Sequence, residues 1–165
     1  MKPHDIEEES MDSVSQFFSA DHDRLDGLLA EYRRLKATDH AAAKRAFKEF
    51  LQGLKRHIVW EEDILFPAFE EGGPGEGGPT AVMRSEHRQI KTRLEAVHDK
   101  VREADPDSDD AVASLVELLG AHNMKEERIL YPAIDEKIGA EGAAEAKKAM
   151  DAIPAERYAQ CCGGH

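Results

Sequence analysis

Two short patterns in this 165-residue chain carry metal-donor atoms at helical spacing, His57-x-x-x-Glu61 and His122-x-x-x-Glu126. Residues four apart on a helix are neighbours, with roughly 5–6 Å between β-carbons, so each pattern aims an imidazole and a carboxylate at one point. The two patterns are copies of each other. His57-Ile-Val-Trp-Glu61-Glu-Asp-Ile-Leu-Phe-Pro-Ala returns 65 residues later as His122-Asn-Met-Lys-Glu126-Glu-Arg-Ile-Leu-Tyr-Pro-Ala. Asp21-His22 with Leu25 returns at the same shift as Glu86-His87 with Ile90, and in both copies the two histidines stand 35 residues apart. The chain therefore reads as two copies of one helical hairpin.

Apolar spacing defines the helices that carry these residues. A first helix is predicted from about Asp12 to Lys36 on Val14, Phe18, Leu25, Leu29 and Tyr32, with Asp39 placed to cap the next. The second runs from His40 to Glu70 on Phe47, Phe50, Leu54, Ile64 and Leu65, and stops at the Gly/Pro-rich run 72–79. The third spans Thr80 to Ala104 on Val82, Met83, Ile90, Leu94 and Val97, ending at Asp105-Pro106-Asp107-Ser108. The fourth spans Asp109 to Lys137 on Val112, Leu115, Leu119, Ile129, Leu130 and Ile134, and a shorter helical piece near Glu141 to Asp151 precedes an irregular tail. Short links between long helices make antiparallel neighbours, so the expected class is all-α, an up-down-up-down antiparallel four-helix bundle. Its expected organisation is a flexible N-terminus over 1–11, the bundle over 12–137, and a short helix with a Cys-containing tail over 138–165.

In an antiparallel hairpin two residues share a level when the midpoint between them falls in the turn. The midpoint of His22 and His57 falls at Thr38/Asp39, that of His87 and His122 at Ala104/Asp105, and that of His57 and His87 at Gly72. All three are predicted turns, so the four histidines form one layer, and His57, Glu61, His122 and Glu126 share the apolar faces of their helices. One buried histidine is an ordinary core residue. Six ionisable groups in one layer, His22, His57, Glu61, His87, His122 and Glu126, would cost several kcal/mol apiece to bury without compensation, so bound cations are the economical explanation. Mixed imidazole and carboxylate donors suit iron, and also manganese, better than a closed zinc site. Six ligands with both carboxylates bridging leave roughly four of about twelve octahedral positions for oxo or hydroxo bridges and an exogenous small molecule.

Composition narrows the rest. Acidic residues outnumber basic ones 34 to 22, for a net charge of −12, which repels phosphate backbones and anionic membrane surfaces, so neither nucleic acid nor membrane is an expected partner. Mean hydropathy is −0.60, no apolar run is long enough to span a bilayer, and the N-terminus lacks a signal-peptide pattern, so the cytoplasm is the expected location. The adjacent Cys161 and Cys162 sit in a Gly-rich tail and close no loop. With His165 they offer too few donors for a tetrahedral site, and the plain reading is an exposed tail.

On Asp21-His22, His57-x-x-x-Glu61, Glu86-His87 and His122-x-x-x-Glu126, in that order over residues 12 to 137, the chain resembles the hemerythrin superfamily, in particular its HHE cation-binding domains. The resemblance implies a non-haem di-iron centre, with His22 and His57 on one metal, His87 and His122 on the other, and Glu61 and Glu126 bridging. It implies a small diatomic or peroxide ligand: dioxygen, peroxide or nitric oxide is bound, or turned over by a di-iron oxidoreductase. The alternative is a module that stores, senses or donates iron, including iron-sulfur cluster repair, without turnover.

Departures from the oxygen carriers bear on that choice. Their third helix has His-x-x-x-His, whereas Met83 and Lys91 stand four residues from His87 here. Their fourth has His-x-x-x-x-Asp, whereas His122-x-x-x-Glu126 is similar to the repair proteins and iron-sensing domains. His98, eleven residues past His87, lies about 16 Å along the helix and cannot substitute. Asp21, Glu86, Glu62 and Glu127 adjoin ligand positions and are placed to hydrogen-bond a ligand imidazole, although for Glu62 and Glu127 a solvated surface role fits equally. Tyr131, the repeat partner of Phe66, reads more as core than as a group at the site.

Overall fold

The computed structural model describes residues 11–71, 78–105 and 107–159. Among them there is no strand; the chain is helical, in the order α1 (Val14–Leu35), α2 (His40–Trp60), a π-helical turn (Glu61–Leu65), α3 (Phe66–Glu70), α4 (Pro79–Arg102), α5 (Asp109–Lys125), a second π-helical turn (Glu126–Leu130), α6 (Tyr131–Asp151) and α7 (Ala155–Ala159). The predicted Gly/Pro-rich loop, from 72 to 77, lies outside the described residues, as do residues 1–10 and the tail with Cys161, Cys162 and His165. Met11, the first described residue, is buried.

Local chemistry explains where these helices start. The Ser13 side chain accepts from the Gln16 amide at α1, and Asp39 accepts from the Ala42 amide at α2, as expected of cap residues. α1 has a second cap from far along the sequence: the Asp135 carboxylate of α6 accepts from the amides of Val14 (2.6 Å) and Ser15 (3.0 Å), placing a negative charge on the helix N-terminus. The other end of α1 is tied to the start of α5 by a 2.9 Å hydrogen bond between the Tyr32 and Ser108 hydroxyls.

The two π turns are where the predicted continuous second and fourth helices need correction. In each, the amide after the turn bonds five residues back, Phe66 to Glu61 and Tyr131 to Glu126, and a proline comes next, Pro67 or Pro132. A proline inside a helix has no amide to donate and crowds the carbonyl four residues back; the wider turn absorbs that crowding. It also rotates the helix beyond it, so Leu130 and Tyr131 are buried while Ile129, expected in the core, is 65% exposed. Val82 is likewise exposed, with Met83 taking the inward position on α4.

α1 packs along α2, α4 along α5, and α6 against α1 and the first π turn. The core has two parts. One holds Leu25, Leu29, Phe47, Phe50, Leu94 and Leu115; the other holds Phe18, Trp60, Phe66, Met83, Tyr131 and Met150. Along α1 the order is Phe18, His22, Leu25, and along α4 it is Met83, His87, Ile90, so the histidines fall between the two apolar parts. The chain beyond 138 contributes to the second part through Ala143, Ala146 and Met150, and α7 gives helical form to part of the predicted irregular end. α6 reaches Ala143 by turning at Gly139, with φ 67° and ψ −178°. A side chain is strained in that region. Gly139→Ala is therefore expected to destabilise the fold by about 1–3 kcal/mol, read as a lower denaturation midpoint, while metal content stays unchanged.

Candidate metal centre

The six residues singled out from sequence meet in one layer, each no more than 4% exposed. His22 and His57 gather with Glu61 and Glu126 into one group, and His87 and His122 gather with the same two glutamates into a second, the donor atoms of each group within 4.8 Å of one another. Glu61 presents Oε2 to His57 Nε2 (3.2 Å) and Oε1 to His87 Nε2 (3.0 Å). Glu126 presents Oε1 to His22 Nε2 (3.2 Å) and Oε2 to His122 Nε2 (3.1 Å). Each carboxylate thus divides its two oxygens between the two histidine pairs.

All four imidazoles are held from behind. His57 Nδ1 lies 2.8 Å from Asp21, His87 Nδ1 2.6 Å from Glu62, His122 Nδ1 2.8 Å from Glu86 and His22 Nδ1 2.7 Å from Glu127. The anchors form a closed cycle. An acid beside the donor residue on α1 holds the histidine of α2, one after α2 holds that of α4, one on α4 holds that of α5, and one after α5 holds that of α1. Glu62 and Glu127, for which a solvated role fitted the sequence equally, are engaged like the other two. A carboxylate only accepts, so each Nδ1–H donates, and Nε2 is the ring nitrogen turned inward, with a lone pair to offer a cation whenever it carries no proton.

What meets at the centre is then a set of electron-pair donors facing one another. His87 Nε2 and Glu61 Oε1 are fully buried, yet neither makes a hydrogen bond, and Glu126 Oε2 is in the same position. Buried polar atoms are ordinarily satisfied. A cation between them meets that need, so the donor set fits a metal, and protons are its competitor. Burial pulls the His57 imidazole down, but the charges of Glu61 and Asp21 outweigh it and push it up to about 10. His87 is likewise lowered by burial and raised by Glu61 and Glu62, to about 9. Burial pushes the Glu61 carboxyl up, and the imidazoles of His57 and His87 more than reverse this, holding it well below the usual range.

Tyr131, read from sequence mainly as core, reaches the first group. Its hydroxyl lies 2.5 Å from Glu61 Oε2, 2.9 Å from Glu126 Oε1, 3.2 Å from His57 Nε2 and 3.3 Å from His22 Nε2. Burial and the two carboxylates push the phenol well above its ordinary value, so it keeps its proton and donates it to one of them. The signal for it was the repeat itself: Phe66 occupies the matching position and stacks on His87 at 5.8 Å instead. One group therefore has a phenol and the other a hydrocarbon ring. Met83 and Lys91, flanking His87, do not join either group; Met83 is core and Lys91 lies 3.7 Å from Glu95.

A cavity of about 10 Å³ adjoins the layer, walled by Leu25, Phe50, Leu54 and Ile90 and by the site histidines. Asp26, Leu119 and Asn123 line both this cavity and a surface cleft of about 350 Å³.

The arrangement defines a class: a helical bundle with a buried His/Glu cluster built from a repeated hairpin. The family model for the hemerythrin HHE cation-binding domain matches residues 13–134, and the chain belongs to that family. It is also 29% identical, over 108 residues covering 57% of this chain and 49% of the relative, to an iron-sulfur cluster repair protein, YtfE, of Enterobacter sp. (strain 638). The chain thus spans about half the length of that relative. No solved structure matches.

The raised imidazoles carry a signed consequence for chelator-stripped protein. Values above the ordinary 6.5 mean that the imidazolium forms stabilise the fold fully below about pH 6.5, and that this contribution is lost as pH rises through about 9 to 10. Denaturation midpoints of stripped protein are expected to decline over that window, and the decline is expected to be shallower in His57→Asn. A flat profile in the parent protein would contradict the assignment.

Proposed function

We propose that the chain is a non-haem di-iron protein that binds or reacts with dioxygen, peroxide or nitric oxide in the cytoplasm, its site carried by an up-down-up-down four-helix bundle. His22 and His57 would hold one iron, His87 and His122 the other, with Glu61 and Glu126 shared; the same donors suit manganese. The observation that carries this reading is the division of each glutamate's oxygens between the two histidine pairs. Iron at such a site supplies one-electron chemistry toward a small molecule. The chain's own residues do the remainder. Asp21, Glu62, Glu86 and Glu127 engage the Nδ1 atoms and orient the imidazoles, so that Nε2 is the atom each ring turns toward a metal. Tyr131 holds a proton at its hydroxyl beside the first group. The adjoining cavity, about 10 Å³, is the size of roughly one water and supports a ligand of only a few atoms.

The second reading, iron storage, sensing or donation without turnover, is favoured by the similarity to a protein named for iron-sulfur cluster repair and by the absence of a further histidine four residues from His87.

Elemental analysis of protein purified without added metal is expected to find about two irons per chain, with clear losses in His22→Ala and His122→Ala. Near-zero metal that loading does not restore would refute the di-iron reading. Steady-state peroxide consumption by iron-loaded protein separates the two functions: turnover lost in His57→Ala supports the enzyme, and a rate no higher than free iron supports the binding module. If turnover is found, Tyr131→Phe is expected to keep its iron and slow consumption about tenfold or more.

A further inference from the structure

Away from the buried layer, α2 carries a pattern that the metal centre does not use. Lys44, Lys48, Leu51 and Lys55 recur at one helical face, separate from the buried stripe through Phe47, Phe50, Leu54 and His57. This face borders an open groove of about 880 Å³, inside the range of roughly 300–1,000 Å³ typical of sites for organic ligands. Arg24, Arg56, His98 and Arg102 add to its lining, and among the described residues the one acidic side chain there is Glu49. On a chain of net charge −12 such a concentration of cations runs against the composition.

Arg24 and Arg102 are already paired, with Asp21 at 3.0 Å and with Asp99. Lys44, Lys48, Lys55 and Arg56 have no ion-pair or hydrogen-bond partner among the described residues. Arg56 is half-buried. Its Nε is sealed from solvent with no acceptor, and its guanidinium lies 4.7 Å above the Trp60 ring. The groove also has flat, uncharged surface. His98, packed with its ring centroid 5.7 Å from that of the buried Phe47, and Tyr158 of α7 both line it. Burial, with Arg102 and Lys55 nearby, holds the His98 imidazole below its ordinary value, which keeps that ring neutral.

We propose that this groove binds a nucleoside di- or triphosphate. Four cations with no side-chain partner around one groove suit a multiply charged anion better than a single carboxylate, and Lys and Arg are the usual partners of phosphate oxygens. The part-exposed rings of His98 and Tyr158 suit a planar base. The groove is outside the buried layer, so the inference stands or falls independently of the metal centre.

The test uses the full chain as purified, titrated with ATP and ADP at low ionic strength. Trp60, the single tryptophan, donates from Nε1 to the Tyr158 hydroxyl at 2.9 Å and serves as a fluorescence reporter, with calorimetry as the second readout. Saturable binding with a dissociation constant below about 1 mM is expected. It should weaken at least about tenfold in the Lys44→Glu/Lys48→Glu double variant and fall with added salt. Both lysines are exposed, so metal content and thermal midpoint should be unchanged; Lys55→Gln is the milder companion variant. Adenosine alone and pyrophosphate alone should each bind at least about tenfold more weakly than ATP. No saturation by millimolar ATP, or equal affinity in the double variant, overturns the proposal. Pyrophosphate binding as tightly as ATP overturns it in favour of an adventitious ion only. A concentration-dependent dimer that ATP does not disturb overturns it in favour of a second copy of the chain.

Discussion

Four imidazoles and two carboxylates lie at one level of the helical bundle, none more than 4% exposed, and much of the chain is arranged around the cost of keeping them out of water. Unpaired charges or polar groups in such a place cost several kcal/mol each. The cycle of Asp21, Glu62, Glu86 and Glu127 answers half of that demand by bonding every Nδ1. Because each acid sits beside one donor residue and serves the histidine of the next helix, the same bonds that orient the rings tie α1, α2, α4 and α5 together. The other half of the demand faces inward, where Glu61 Oε1, His87 Nε2 and Glu126 Oε2 have no hydrogen-bond partner. Stability of the layer and its capacity to hold a cation are therefore one property.

The duplicated hairpin makes this layer nearly symmetric, and its departures from symmetry matter most. Both copies break their helix with a π turn that begins at the shared glutamate, Glu61 or Glu126, and ends before a proline. Past that turn the copies diverge. Tyr131 brings a protonated phenol among the first group's donors, whereas Phe66 stacks a hydrocarbon face on His87. Two groups built from the same residue types thus differ in proton supply and polarity.

Much of this was legible in the residues themselves. The shift of 65 residues and the common 35-residue spacing place the histidines at one level, because helical rise is constant and turns announce themselves through Gly, Pro and capping residues. The same regularity located the helices to within a few residues. It failed after Glu61 and Glu126, where a uniform helical period puts Ile129 in the core and the π turn puts it in solvent.

Residue order alone was enough for the common level of the six side chains and the helical class, since these depend on residue types and on periods that local backbone geometry makes regular. Packing in three dimensions was needed to show which acid holds which imidazole, that Glu62 and Glu127 are engaged, that Tyr131 reaches the first group, and that Asp135 caps α1 from α6. Those are contacts between side chains on different helices. Their partners are set by the rotation and packing of one helix against another, and no spacing along a single chain encodes that directly.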